Sequence, residues 1–284
     1  MNFIKNGSTV SFAIVTGIFT FVPETFFEKH EWITQKTLEH NNLCAYIESQ
    51  EINIVVSRLM CFVFVWVVTL LACIVFLKLR RWTTIKYKNC LIRVEYGDIL
   101  KKKKCKRVIN FDECFTTDVG DKTADINSNS ICGQYLMLHQ DLDVQQLIQA
   151  ARIQPARSKS KYLKKTRYDS GTIVPNGDDL LMAFAKLDEN GKGRFFSHDE
   201  YITCLDLLWR EIENNYSEKD VCVPILGAGT TSFDTGSGEA ISQQDLLDMM
   251  ILSYKLSSHK IKVPHKLRIV CKKRDGFSLN NIRK

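Results

Sequence analysis

The residues best suited to chemistry lie in the segment 223–231, which reads VPILGAGTT. An apolar run typical of a buried strand passes directly into Gly227, Ala228, Gly229, Thr230 and Thr231, where bare backbone can approach a ligand closely. Successive N–H groups and two hydroxyls can surround the oxygens of a phosphate. The segment has neither the Gly-Lys-Ser/Thr of a P-loop nor the third glycine of a dinucleotide fingerprint. A simple tight turn is the alternative interpretation.

A second candidate is Tyr96-Gly97-Asp98-Ile99, at the end of a predicted strand. The Asp98 carboxylate there can accept a hydrogen bond from the exocyclic amine of an adenine, while Ile99 lies against the ring. The alternative is that Asp98 caps its own backbone in a turn, which is the more common role of such a residue.

The segment 188–199 is similar to the start of an EF-hand calcium loop, with a glycine at its sixth position. However, Lys192 stands at position 5 in place of an oxygen ligand, and Asp199 stands at position 12 in place of a bidentate glutamate. The six histidines have no metal-ligand spacing. We therefore predict a glycine-rich turn leading to a strand, and no metal site. No Ser-His-Asp or Cys-His pairing is visible, so no catalytic residue is predicted.

The elements that would position these residues alternate between strands and helices. Alternating or continuous apolar runs predict strands over 90–99, 107–111, 193–196, 221–226 and 267–271. Helical periodicity predicts helices over 141–153, 178–187, 199–214 and 245–256, the last two opened by capping boxes at Ser197 and Ser242. Ile202 and Leu252 are among the residues expected on the buried faces of these two helices. This order predicts an α/β layered domain.

Three further stretches are rich in basic residues. Residues 82–89 are interpreted as a short connector, 101–104 as a solvated turn between strands, and 156–167 as an exposed loop. Attraction to anionic lipid or to nucleic acid is the alternative for the second stretch.

Residues 59–77 read LMCFVFVWVVTLLACIVFL, without a charge, and Lys78, Arg80 and Arg81 follow. At 1.5 Å per residue this run covers roughly 28 Å, close to the thickness of the hydrocarbon layer. It predicts a membrane span over 58–79. The shorter apolar stretch 9–22 predicts a first span over 6–27. A signal peptide and a segment lying in the interface are alternatives, although its bulky end disfavours cleavage.

These spans predict a membrane module over 1–81, with an external acidic loop over 28–57, and a second domain over 82–284. Basic residues after a span favour the cytoplasmic side. We therefore expect a multi-pass protein of the inner cell membrane whose large domain is cytoplasmic. The ten cysteines have no regular spacing and no CxxC pair, which favours reduced thiols that fill the core.

Three motifs follow one another in the order of a macro domain: Gly97-Asp98-Ile99, a strand containing Val108-Ile109-Asn110, and a buried strand ending Pro-x-Leu-Gly-Ala-Gly at 224–229. The domain therefore resembles the macro domain, an ADP-ribose-binding α/β/α module. Several further features resemble the membrane-anchored macro-domain effectors of Thoeris-type bacterial anti-phage defence. They are the two preceding hydrophobic stretches, Phe111-Asp112-x-x-Phe115, NSICGQ at 129–134, LDENGKG at 187–193 and LDLLWREI at 205–212.

The resemblance implies a transmembrane helical hairpin followed by a macro-like three-layer α/β/α domain with a mixed sheet. It also implies a site for an ADP-ribose derivative, in which Asp98 and Ile99 hold the adenine and the bend 227–231 surrounds the diphosphate. Asn110, Phe111 and Asp112 would lie near the distal ribose or its substituent, and Ser130, Ile131 and Gly133 would replace the first phosphate loop.

Hydrolytic macro domains carry a run of glycines in that first loop, whereas residues 127–134 here read NSNSICGQ. We therefore expect ligand sensing, with a membrane-tethered ADP-ribosyl hydrolase as the alternative. The family implies that a TIR-domain enzyme supplies the signal, and that binding favours a homo-oligomer that disrupts the lipid bilayer and causes abortive infection. No other cofactor and no nucleic-acid partner are predicted. An adaptor for acidic lipid or nucleic acid through 101–104 and 156–167 is a third possibility.

Overall fold

The computed structural model describes Thr9 and residues 12–17, 49–195, 197–229, 232–233, 241–273 and 277–282. The chain divides into two compact units, Met1–Arg80 and Arg81–Lys284. Each unit is described separately below.

The first unit contains helix α1, Ser49–Leu79, with Lys78 in its last turn. Its residues Glu51–Leu79 are long and apolar enough to cross a membrane, and their most apolar 18-residue window has a mean hydropathy of 2.9 and is not buried. The helix begins within the predicted external loop 28–57, so residues 49–57 of that segment are helical. Residues 12–17 are also helical, but most of the predicted first span 6–27 lies outside the described residues.

The second unit is built on a nine-stranded mixed sheet in the order β1-β2-β9-β7-β3-β5-β6-β8, with β4 paired to β5. Five neighbours, β2, β9, β7, β3 and β5, run parallel. β1 is antiparallel to β2, both β4 and β6 are antiparallel to β5, and β8 is parallel to β6. The strands are β1 Trp82–Tyr87, β2 Cys90–Tyr96, β3 Cys105–Asp112, β4 Ile173–Asn176, β5 Asp179–Leu187, β6 Gly193–Phe195, β7 Asp220–Pro224, β8 Ser232–Phe233 and β9 Leu267–Cys271.

Two pairs of helices cover the two faces of this sheet. The helices are α2 Ile131–Leu138, α3 Val144–Ala150, α4 His198–Asn215 and α5 Gln243–Leu256. Alternate residues of β5 separate the two cores: Met182 packs with α4 and α5, whereas Leu181 packs with α2 and α3. The unit therefore has three layers, α/β/α, with a mixed sheet, as predicted. Nine cysteines lie among the described residues as free thiols, and seven of them are buried.

The predicted helix over 178–187 is wrong, because all of these residues except Asp178 form strand β5 in the interior of the sheet. All of them except Asp178 and Lys186 are buried. Strands with helices on both faces are apolar throughout, so their sequences lack the two-residue alternation and are easily taken for short buried helices.

The predicted connector 82–89 is also wrong, because it forms strand β1 and a two-residue turn. Trp82–Tyr87 pairs antiparallel with β2, and Thr83 and Ile85 are buried. Lys88 adopts a positive φ of 46° in the turn, the conformation that two-residue hairpins require. The basic residues of this stretch favoured a connector, although the stretch forms the first strand and the turn of a hairpin.

The serine N-caps of the two predicted capping boxes are confirmed. Ser197 Oγ accepts a hydrogen bond from Glu200 N at 3.2 Å at the start of α4, and Ser242 Oγ accepts one from Asp245 N at 3.1 Å at the start of α5. Ile202 and Leu252 are however exposed by 43% and 57%. Each lies one residue beyond a buried residue at the edge of the buried face of its helix. Because one residue rotates an α-helix by about 100°, the side chain points toward solvent.

Candidate functional site

Two adjoining cavities lie at the carboxyl ends of the parallel strands, where ligands of open α/β sheets bind. The small cavity has a volume of about 160 Å³ and the large cavity about 550 Å³. Asn110, Asn129 and Ser130 line both of them. Because the two cavities share these residues, one elongated ligand can occupy both.

The predicted adenine residues lie at the small cavity. Asp98 Oδ1 accepts a hydrogen bond from Leu100 N at 3.0 Å and caps the short 3₁₀ turn Ile99–Lys101. Lys101 Nζ lies 3.8 Å from Asp98 Oδ2, and the Asp98 side chain is 37% exposed. Asp98 is thus a turn cap that still offers a partly exposed carboxylate oxygen. Ile99 is buried and packs with Cys105, Cys222 and Val270.

The glycine-rich bend follows β7 and also lines the small cavity. Gly227 has a φ of +82°, a conformation that side-chain-bearing residues rarely adopt. A Cβ on Gly229 would meet no atom within 4 Å, so the backbone there borders open space. Tyr201 Oη of α4 donates a hydrogen bond to Leu226 O at 3.1 Å, which holds the start of the bend. Thr230 and Thr231 lie outside the described residues.

The segment before α2 separates the two cavities. Ser130 Oγ accepts a hydrogen bond from Gly133 N at 2.9 Å and caps α2, and Ile131 lines the small cavity. Gly133 lines neither cavity. A Cβ at Gly133 would lie 2.2 Å from the backbone oxygen of Asn127, so this glycine lets the helix pack closely against the preceding loop.

Strand β3 ends at the large cavity with Asn110, Phe111 and Asp112. Asp112 Oδ1 accepts hydrogen bonds from Cys114 N at 2.8 Å and Thr116 N at 3.1 Å. Asp112 Oδ2 and Asn110 Oδ1 are buried and have no partner among the described residues. Buried oxygens of this kind are costly unless a donor meets them, so both are suited to accept hydrogen bonds from a ligand.

Phe111 is placed differently from its two neighbours. Its side chain is only 2% exposed and packs in the core on the α2 side of the sheet, with its ring 5.7 Å from that of Phe115. Successive residues of a regular strand point to opposite faces, so Asn110 points away from that core. The pairing of β3 with β5 is irregular between Phe111 and Asp112, and Asp112 lines the large cavity after this irregularity. Phe111 therefore supports the wall of the large cavity from behind.

The sequence interpretation missed several residues that line the cavities, among them three lysines and a glutamine. Lys122 and Lys192 line the large cavity, and Gln243 and Lys272 line the small one. Two of them had a usable signal, since Gln243 follows the Ser242 cap and Lys272 follows β9 directly. Lys122 and Lys192 lie in loops, and only the fold brings them to the site.

The cysteine found among the described residues of the large cavity is not an activated thiol. Cys132 lines this cavity, but burial raises the pKa of its thiol well above the ordinary value of 9.0. A thiol with so high a pKa stays neutral and is a poor nucleophile.

The segment similar to an EF-hand forms a turn leading into β6. Asp188 Oδ1 accepts hydrogen bonds from Asn190 N and Lys192 N, both at 2.9 Å, and Asp188 Oδ2 pairs with Arg194 Nη2 at 2.5 Å. Within the described part of the chain, no group of three His, Cys, Asp or Glu side chains could hold a metal ion. The Asp188 carboxylate thus stabilises the turn.

Comparison with known proteins gives a family and a relative. The family model for the macro domain of the Thoeris protein ThsA matches residues 92–272. The Thoeris protein ThsA of Bacillus amyloliquefaciens (strain Y2) is 28% identical over 211 residues, covering 69% of this chain and 67% of that protein.

Solved structures of macrodomains are also similar to this chain. A variant of the Oceanobacillus iheyensis macrodomain has a TM-score of 0.43 at 9% identity, covering 69% of this chain and 91% of that chain. The macrodomain of Thermus aquaticus DarG has a TM-score of 0.36 at 12% identity, covering 64% of this chain and 98% of that chain.

Proposed function

The chain belongs to the family of Thoeris ThsA macro domains, and from this premise we propose that it senses an ADP-ribose-derived nucleotide in anti-phage defence. The observation that carries the proposal is the pair of adjoining cavities, which extend from Asp98 past the bend 227–229 to Asn110 and Asp112. An ADP-ribose derivative is an elongated molecule with an adenine, a diphosphate and a distal ribose in that order.

The adenine would occupy the small cavity. The exposed oxygen of Asp98 would accept a hydrogen bond from the exocyclic amine, and the ring would lie on Ile99. The diphosphate would lie along Gly227, Ala228 and Gly229, where open backbone can approach its oxygens. Lys272 at the rim of the same cavity contributes a positive charge that favours an anionic ligand.

The distal ribose and any substituent on it would enter the large cavity. There the unpartnered Asn110 Oδ1 and Asp112 Oδ2 would accept hydrogen bonds from hydroxyl or amine donors of the ligand. A ligand that carries hydrogen-bond donors in this position would satisfy two buried acceptors at once and would therefore bind more tightly.

Sensing is favoured over turnover because the segment 127–134 lacks the glycine run of hydrolytic macro domains, and Ser130 instead caps α2. An ADP-ribosyl hydrolase remains the second candidate. The observation in its favour is Asp112 Oδ2, a buried carboxylate oxygen at the large cavity that could orient a water molecule.

We further propose that α1 anchors the chain in the inner membrane with the α/β unit in the cytoplasm. A TIR-domain enzyme would supply the ligand, whose binding would favour self-association, disruption of the bilayer and abortive infection. For this, the ligand must bind the assembled state better than the monomer. If monomer and assembly are nearly equal in free energy, a coupling of about 1–3 kcal/mol per site is enough to shift the equilibrium toward assembly. A first span over 6–27 and an external loop before α1 would make the anchor a hairpin.

The proposal is tested by titrating the full chain, in detergent micelles, with ADP-ribose in a calorimeter while chromatography follows the intact ligand. We expect saturable binding without turnover. Absence of binding by ADP-ribose and by its ribose-substituted derivatives would refute the sensing function. Turnover that disappears in Asp112→Ala would instead establish the hydrolase.

A further inference from the structure

The loop 156–167, between α3 and β4, combines strong positive charge with an exposed apolar tip. Six of its residues are Lys or Arg and none is acidic: Arg157, Lys159, Lys161, Lys164, Lys165 and Arg167. All of these except Arg167 are exposed. Leu163, in the middle of the basic cluster, is 71% exposed. An apolar side chain surrounded by lysines is the arrangement of segments that dip into an anionic membrane surface.

The tip of the loop is a turn with a defined backbone conformation. Leu163 and Lys164 have positive φ values of 49° and 53°. Ser160 N donates to Lys165 O at 3.0 Å, and Ala156 N donates to Arg167 O at 2.8 Å, so the loop is closed by its own backbone. The exposed position of Leu163 is therefore fixed by hydrogen bonds on both sides of the tip.

A buried carboxylate ties this loop to the sheet. Glu113, which follows β3 and is 2% exposed, accepts a hydrogen bond from Ser160 Oγ at 2.5 Å and lies 3.5 Å from Arg167 Nη1. The same carboxylate accepts a hydrogen bond from Leu187 N at the end of β5. The loop is thus held at the edge of the sheet that carries the ligand cavities.

Beside the loop lies a third cavity of about 350 Å³. Four cationic side chains line it, from Lys159, Lys161, Arg167 and Lys186, against the carboxylates of Glu113 and Glu200. Its surplus of positive charge suits a phosphate group next to the apolar tip.

We propose that loop 156–167 docks on an anionic phospholipid surface, with Leu163 inserted among the lipids and a lipid phosphate in the adjacent cavity. Charge complementarity selects this partner, and each lysine near an anionic surface contributes roughly fivefold to binding. The exposed leucine selects lipid over nucleic acid, which offers no apolar layer to receive it. The inference rests on the proposed membrane anchor, because α1 would hold the chain at a bilayer.

Docking would also bring the membrane close to the ligand site. Tyr162 Cε2 lies 3.2 Å from the position that a Cβ of Gly191 would occupy, and Gly191 lines the large cavity. The loop therefore packs beside a residue that lines the cavity.

The test compares the full chain in nanodiscs of phosphatidylcholine alone and in nanodiscs with an equal part of phosphatidylglycerol. Hydrogen–deuterium exchange is measured on the amides of loop 156–167. We expect protection in the anionic discs that is absent in the neutral ones, and we expect it to be lost in Leu163→Glu and in the double variant Lys164→Glu, Lys165→Glu.

The matched control is Lys103→Glu with Lys104→Glu, which reverses two exposed lysines elsewhere in the domain and includes one residue of positive φ, as the test pair does. Protection should survive in this control. Equal protection in both lipids, equal loss in the control, or protection given by added RNA in neutral discs would overturn the proposal. If the chain does not stay with the discs, the anchor is contradicted, and added phosphatidylglycerol vesicles test the loop in the same measurement.

Discussion

At the scale of single residues, Asp98 has two tasks that substitutions can separate. One of its oxygens caps the turn at Leu100 N, and the other is proposed to accept the adenine amine. Asp98→Asn retains an oxygen for the cap but places an NH₂ group where an acceptor is needed. We expect it to weaken ADP-ribose binding about 10-fold or more with little change in melting temperature, because a charge-assisted hydrogen bond contributes about 1.5–3 kcal/mol.

A second ligand makes this measurement specific to the adenine. An ADP-ribose analogue carrying hypoxanthine, which lacks the exocyclic amine, should bind the parent chain weakly and should lose nothing further in Asp98→Asn. If the two losses were additive in calorimetry, Asp98 would not contact the amine.

The glycines of the bend give a second prediction at this scale. Gly229 borders open space, so Gly229→Glu should leave the melting temperature unchanged while its side chain displaces the diphosphate and abolishes binding. Gly227→Ala forces a φ of +82° on a residue with a Cβ and should cost about 1–2 kcal/mol of stability.

The matched control for this strain is Gly177→Ala, since Gly177 has a φ of +59° in the turn between β4 and β5 and has open space around it. Both alanine variants should melt earlier, and only Gly227→Ala should change the dissociation constant. Parallel effects of the two on binding would mean that strain alone explains the loss at Gly227.

At the scale of elements, the network around Glu95 joins β2 to β9 and to the turn after the adenine residues. The Glu95 carboxylate lies 2.7 Å from Arg93 Nε, 2.7 Å from Lys102 Nζ and 2.6 Å from Arg268 Nη2. Burial alone would raise the pKa of Glu95, but the hydrogen bonds from Lys102 and Arg268 outweigh it and leave the pKa below the ordinary value of 4.5.

This lowered pKa predicts acid sensitivity of the sheet. A carboxylate with a lowered pKa in the folded state contributes stability that is full above pH 4.5 and is lost as the pH falls through the folded-state value. Glu95→Gln should be less stable than the parent near pH 7, by roughly 1–3 kcal/mol. Its melting temperature should fall less steeply from about pH 5 to pH 3. If the melting temperatures of the two chains changed equally with pH over this range, Glu95 would not be the source of the acid sensitivity.

How far the elements could be predicted from sequence depended on how local their signals are. Helix α4 carries a cap at Ser197 and a stripe of period 3.6, both readable within a few residues. Strand β5 is apolar because helices cover both its faces, and β1 is a strand because β2 lies beside it. The covering helices and the neighbouring strand lie elsewhere in the chain. A short stretch of sequence around β5 or β1 therefore could not reveal them.

The same distinction applies to the candidate site. Asp98 and the bend at 227–229 were found from local patterns, and the fold places both at one cavity. Lys122 and Lys192 reach the large cavity only through the folding of two separate loops. The unpartnered oxygens of Asn110 and Asp112 become meaningful only when the packing around them is known.

At the scale of the whole molecule, the candidate site and the apolar helix belong to two different compact units. In the proposed mechanism, ligand binding acts on the bilayer by changing which assembled states are populated. A ligand with equal affinity for monomer and assembly would shift nothing, however tightly it bound. The proposed mechanism thus requires that affinity depend on assembly.

This requirement gives a prediction that does not depend on the structure of the assembly. Because coupling is reciprocal, a ligand that promotes association must bind more tightly when the protein is more concentrated. At a coupling of about 1.4 kcal/mol per site, the apparent dissociation constant should fall by up to about tenfold from dilute to crowded vesicles. Titration of the full chain at several protein-to-lipid ratios, with dye leakage recorded in parallel, measures both sides of the linkage. Gly229→Glu should neither bind nor leak at any ratio, and a dissociation constant independent of protein density would exclude ligand-driven assembly even if leakage occurred.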